Sequence, residues 1–212
     1  MNNRPAIDIT QDIFDHICET IADKGYIVLH NLFPIAVLNN LVDDLSQINT
    51  SAFKPAAIGR QKNQQVVETI RSDKICWLDN TMTFAAPYFD WSERLRLAIN
   101  RYFFLGLFDY ETMFAHYEPG TFYKRHVDAF KGQSNRKLTT ILYLNKEWQQ
   151  GDGGELLMYR HDEAMPFETV EPRLGTMVVF LSELFPHEVS LSNKDRYSLT
   201  GWYRINEGIP LD

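Results

Sequence analysis

The feature that most limits how this chain can fold lies past residue 110, where helical periodicity gives way to short runs rich in Thr, Tyr, Val, Phe and Ile. They fall at 111–117, 121–128, 138–145, 154–159, 166–171, 176–181, 186–190 and 196–205, separated by turn residues such as Pro119-Gly120 and Asp152-Gly153-Gly154. β-branched and aromatic runs bounded by Gly and Pro read as strands. Eight strands at this spacing predict a two-sheet sandwich or barrel. The first half of the chain reads as helical support. Ile9, Ile13, Ile17 and Ile21 recur every four residues between a possible N-cap at Thr10 and Gly25, which predicts an amphipathic helix. A short strand follows at 26–30, then a helix opened by Pro34 and carrying Leu38, Leu41, Val42 and Leu45. Asp90 and Glu93 read as a capping pair for a third helix that runs to about Phe103. These helices are expected on one outer face of the β core.

Composition narrows the function classes. A chain of 212 residues, 44% apolar, can bury a sizeable core and suits a single domain. The opening MNNRPAIDITQD lacks the apolar run of a signal peptide, and no stretch approaches the roughly 20 apolar residues of a membrane span. Two cysteines, Cys18 and Cys76, make no disulfide framework, so the expected location is a reducing cytoplasm. A net charge of −7 argues against nucleic acid as the partner.

The stretch FYKRHVDAF, residues 122–130, holds His126 and Asp128 one residue apart. With 6 His and 15 Asp in the chain, a His-x-Asp triplet arises by chance about 0.4 times, so the pair alone decides little. On a strand, however, both side chains point the same way. His187 in LFPHEVS, 58 intervening residues later, is a candidate third ligand. Two histidines and one carboxylate form the facial set that suits non-haem Fe(II) and leaves coordination positions open. In RYSLTGWYR, alternation puts Arg196, Ser198, Thr200, Trp202 and Arg204 on one face. An arginine there has the planar fork that grips a carboxylate at two points. Thr139, Ile141 and Tyr143 share a face of their own strand, so Tyr143 can bring a phenol to the same pocket. His161-x-Glu163 also has ligand chemistry, but it sits in a polar connection before Pro166 and reads as a solvated turn.

The series Tyr117, RHVD at 125–128, ILYLNKEW at 141–148, GGELLMY at 153–159, PHEV at 186–189 and RYSLTGWY at 196–203 resembles the iron- and 2-oxoglutarate-dependent dioxygenases. Within them it is similar to the prolyl 4-hydroxylases related to the oxygen-sensing enzymes of animals and their bacterial counterparts. IRSDKICWLDN at 70–80 matches that subgroup as well. The resemblance spans about residues 70–206 and implies a mainly β fold, a double-stranded β-helix or jelly roll with a core at 111–206, flanked by about three helices on one face. It implies Fe(II) held by His126, Asp128 and His187, and 2-oxoglutarate anchored by Arg196 with Tyr143 and Thr200 and lined by Leu156, Tyr117 and Trp202. O2 is the second cosubstrate, succinate and CO2 are products, and ascorbate is a candidate reductant. The implied substrate is a prolyl residue of a protein, with a translation component as one place to look and oxygen sensing as one role.

Residues 56–74 form a polar tract expected either as an exposed loop or as a lid over a protein substrate, with Arg71 and Asp73 touching it and Trp202 walling the substrate side. The protein is expected to be a monomer that binds neither nucleic acid nor membrane. The competing readings are hydroxylation of another protein side chain, an amino acid or a small metabolite, and a non-catalytic jelly-roll binding module.

Overall fold

The computed structural model describes residues 10–56, 69–78, 82, 85–129 and 135–206. Most of the tract expected as a lid lies outside these residues. Helix α1, Gln11–Lys24, starts after Thr10 and stops at Gly25, whose φ of 81° lets its N–H close on the Ile21 carbonyl at 2.8 Å. Strand β1, Tyr26–Leu29, and helix α2, Ile35–Gln47, follow, with Pro34 at the N-cap. Two short strands that flank the polar tract come next: β2, Lys54–Pro55, and β3, Lys74–Trp77. Helix α3 is Ala86–Phe103. It starts before Asp90, with Pro87 in its first turn, so Asp90 and Glu93 lie inside it, and Glu93 instead pairs with Arg96.

The remaining strands are β4, Leu107–Tyr117; β5, Tyr123–His126; β6, Arg136–Tyr143; β7, Leu156–Met158; β8, Glu168–Val170; β9, Met177–Leu181; β10, His187–Val189; and β11, Arg196–Ile205. They form two antiparallel sheets, one of order β1-β9-β6-β11-β4-β3-β2 and one of order β5-β10-β7-β8. The fold is therefore mainly β, a double-stranded β-helix with three described helices.

Strand alternation divides the core in two. Leu138, Leu142, Val179, Leu199 and Tyr203 face the helices and pack with Phe14, Ile17, Leu41, Trp91 and Leu95. Ile141, Tyr143, Val178 and Phe180 face the other way and pack with Leu156, Met158 and Val170 of the small sheet. Sealing one face of the large sheet with helices leaves the space between the sheets for chemistry. No described helix is long and apolar enough to cross a membrane.

Candidate active site

Antiparallel register is what brings the two histidines together. His126 ends β5 and stands directly across from His187, the first residue of β10, and their rings lie 4.3 Å apart. Asp128 lies two residues beyond the end of β5, so strand alternation does not hold it. A hydrogen bond from the large sheet does: Thr139 Oγ1 on β6 donates to Asp128 Oδ2 at 2.8 Å. The carboxylate then sits 3.6 Å from His126 Nε2 and 3.7 Å from His187 Nε2.

Both rings are oriented alike. His126 Nδ1 lies 2.8 Å from the Lys124 carbonyl, and His187 Nδ1 lies 2.9 Å from that of Phe185. A carbonyl only accepts, so each Nδ1 carries the proton and each Nε2 presents a lone pair to the centre. Burial pushes His187 down to about 4, with His126 adding to the effect, so its imidazole is neutral and ready to ligate near neutral pH. Burial alone would raise Asp128, but the imidazoles of His187 and His126 and the guanidinium of Arg136 hold it well below the usual carboxylate range. Two imidazoles and one carboxylate, with ligand atoms all within 4.8 Å of one another, fit a divalent iron ion. Among the described residues this is the only such cluster, and His161 and Glu163 lie exposed in a turn.

Beside this centre the inner face of β11 carries Arg196, 1% exposed. Its Nε donates to the Gly154 carbonyl at 2.8 Å, while Nη1 is buried without a partner. Gly154 permits that approach: its φ is +66°, and a Cβ there would stand 3.0 Å from Arg196 Cδ. The guanidinium lies 4.7 Å from the ring centre of Tyr117 and 5.0 Å from that of Tyr143. The Tyr143 hydroxyl is likewise buried with no partner within hydrogen-bond distance, although it is near enough to the Arg196 guanidinium to feel it. Buried donors are nearly always satisfied, so two unsatisfied ones in a single pocket call for an acceptor from outside. A carboxylate fits. Fully buried Leu156 lies in the same cluster as Tyr143, and half-buried Thr200 and buried Ser198 share the Arg196 face, their hydroxyls 3.2 Å apart.

The residues expected on the substrate side have partners of their own. The indole of Trp202 is buried with its N–H unpaired, covered by the Arg136 guanidinium at 3.7 Å and flanked by Trp77 at 6.3 Å. Arg71 and Asp73 are turned on each other in a buried two-point pair, at 2.8 and 2.6 Å. Arg71 also covers Tyr123 at 4.4 Å, and Tyr123 stacks on His126 with ring centres 3.6 Å apart. Thr139, Ser198, Arg136 and Tyr123 belong to the site although no motif singled them out for these roles. A cleft of about 270 Å³ lined by Val42, Phe53, His116 and Tyr197 lies on the opposite, helix-bearing side of the large sheet.

A double-stranded β-helix that gathers two histidines and a carboxylate beside a buried, unpaired arginine is the architecture of a non-haem iron, 2-oxoglutarate-dependent oxygenase. A family profile described as the 2OG-Fe(II) oxygenase superfamily matches residues 112–204. A crystal structure of a Pseudomonas putida prolyl-4-hydroxylase superimposes with a TM-score of 0.81 and 36% identity, covering 91% of this chain and 99% of that one. Human prolyl hydroxylase EGLN3 is 28% identical over 205 residues, 93% of this chain and 85% of the relative. The hypoxia-inducible factor prolyl hydroxylase of Caenorhabditis elegans is 27% identical over 208 residues, but the chain spans only 28% of that protein's length. The chain belongs to the 2OG-Fe(II) oxygenase superfamily, and within it to the prolyl hydroxylases.

Proposed function

We propose that the protein hydroxylates a prolyl residue of a protein substrate, using Fe(II), 2-oxoglutarate and O2 and releasing succinate and CO2. The observation that carries this reading is the pair of unsatisfied donors, Arg196 Nη1 and the Tyr143 hydroxyl, buried on the inner face of the large sheet, in the space that the small sheet closes with His126 and His187. The three ligands would hold the iron facially. When bound, the iron with its cosubstrates supplies the oxidising step, in which one oxygen atom goes to succinate and the other to the substrate as hydroxyl.

The protein's own residues do the positioning. Arg196 and Tyr143 pair with the far carboxylate of 2-oxoglutarate and, once paired, remove two buried polar groups from an unsatisfied state. Tyr117 and Leu156 wall the cosubstrate, and Thr200 lies on the Arg196 face. Trp202, its ring face against Arg136, bounds the substrate side, and Trp77, which is 47% exposed, extends an aromatic wall suited to a proline ring. Ascorbate as reductant, a translation component as substrate and a part in oxygen sensing rest on the family likeness. The nematode relative and human EGLN3 are named as prolyl hydroxylases, which favours a protein proline over the small-metabolite reading.

The test is to incubate purified protein with Fe(II), 2-oxoglutarate and cell extract and to map oxidised peptides by mass spectrometry. New hydroxyproline accompanied by succinate supports the proposal. Succinate with oxidation confined to other residues would replace proline as the target, and neither product from iron-loaded protein would favour a binding module.

A further inference from the structure

We infer that Thr139, held by Ser182, is a positioning residue that restricts Asp128 to a single metal-binding oxygen; this rests on the iron reading above. Asp128 follows the end of β5 in a bend, so its own strand does not fix its carboxylate. The tie comes from the facing sheet. Thr139, on β6, is fully buried and places Oγ1 2.8 Å from Asp128 Oδ2. The hydroxyl of Ser182, also fully buried, lies 2.8 Å from the same Thr139 oxygen.

The direction of the chain follows from counting protons. A threonine hydroxyl has one hydrogen to give, and an ionised carboxylate can only accept. Thr139 therefore gives its proton to Asp128, and Ser182 must give its own to Thr139. The order is Ser182 to Thr139 to Asp128, each donation polarising the next. Ser182 is itself fixed, because its backbone N–H bonds to the Lys137 carbonyl at 3.1 Å, beside the β6–β9 pairing that sets Thr139 across from Phe180.

Oδ1 lies 3.6 Å from His126 Nε2 and Oδ2 3.7 Å from His187 Nε2, so distance alone does not choose between them; the hydrogen bond to Thr139 occupies Oδ2 and leaves Oδ1 as the freer ligand atom. A carboxylate bound through both oxygens would fill one of the positions that a facial two-histidine, one-carboxylate site keeps for its cosubstrates. The hydroxyl pair thus does two things. It aims Asp128 at the two imidazoles, and it keeps a coordination position free. Outer partners of this kind commonly alter metal affinity by about 10- to 100-fold when they are removed.

The experiment compares wild type, Thr139→Val, Thr139→Ser and Ser182→Ala by titrating the apoprotein with Co(II), following visible absorption and calorimetric heat. Valine keeps the volume of threonine and deletes the donor. Thr139→Val is expected to bind Co(II) about tenfold or more weakly, Thr139→Ser close to wild type, and Ser182→Ala in between. The Co(II) spectrum of Thr139→Val is also expected to respond less to added 2-oxoglutarate. A purely structural role would lower the melting temperature without moving the Co(II) affinity of folded protein. Equal affinity and equal spectra in folded Thr139→Val and wild type would overturn the inference. If Thr139→Val does not fold, unchanged affinity in Ser182→Ala overturns it instead. Failure of wild type to bind Co(II) would strike the iron reading itself, a result distinct from either of these.

Discussion

Replacing Arg196 with Met separates the two halves of the site. Arg196 is 1% exposed, spends one donor on Gly154 and leaves Nη1 unpaired. In the free protein the charge is thus a burden: an unsatisfied buried donor costs about 1–3 kcal/mol. The substitution therefore leaves the empty protein about as stable as wild type or more so. With cosubstrate present the sign reverses. A charged hydrogen bond contributes about 1.5–3 kcal/mol, so loss of a two-point grip on a carboxylate is set at about 3 kcal/mol, roughly a 100-fold rise in Kd or KM for 2-oxoglutarate. Iron affinity should change little, since the guanidinium lies outside the cluster of His126, Asp128 and His187. Thermal shift gives a direct assay. At 100 times its Kd, 2-oxoglutarate stabilises wild type by about 2.7 kcal/mol. For a domain of this size that raises Tm by about 5–10 °C. At the same concentration the variant should show a rise of at most about 2 °C. An undiminished rise, or iron lost in step with 2-oxoglutarate, would refute the assignment of Arg196 as the carboxylate anchor.

Other outcomes follow from neighbouring contacts. Tyr143→Phe removes one neutral donor that has no partner in the free protein, so 2-oxoglutarate should bind about 3- to 10-fold more weakly by calorimetry with no loss of apoprotein stability in urea. Gly201→Ala would put a Cβ 2.3 Å from the Tyr110 hydroxyl and 2.8 Å from the Glu111 carbonyl, and overpacking of this kind should cost about 1–3 kcal/mol in urea denaturation. Burial, with Asp15 adding to it, pushes the Cys18 thiol up to about 11 from 9.0. The unfolded chain gives up that proton first, so stability should fall as pH rises between those values, a slope that Cys18→Ala flattens. Iodoacetamide at pH 8 should leave Cys18 of the native protein unlabelled, as mass spectrometry of its peptide would show.

Much of the β core was legible because its strands are long enough for alternation to speak. On β11, the face carrying Arg196, Ser198, Thr200 and Trp202 is the inner one, as period two requires. Elements were missed where the signal was short or imitated. β2 is two residues ending in Pro55, and β3 is four residues following a polar tract. Asp90 and Glu93 have the spacing of a capping pair, yet Pro87 marks the true first turn of α3. Asp128 reached the expected neighbourhood by a different route. Alternation along β5 stops at His126, and the carboxylate is aimed by Thr139 on another sheet. Such ties between distant strands leave no local trace, and neither did the pairing of Arg71 with Asp73 behind Tyr123 or the covering of Trp202 by Arg136.

The most direct measurement is an anomalous difference map, at the iron absorption edge, from crystals grown anaerobically with Fe(II) and 2-oxoglutarate. One peak is expected, bonded to His126 Nε2, His187 Nε2 and one Asp128 oxygen, with the far carboxylate of 2-oxoglutarate on Arg196 and Tyr143. A peak elsewhere, or an iron bound without these three side chains, would contradict the account.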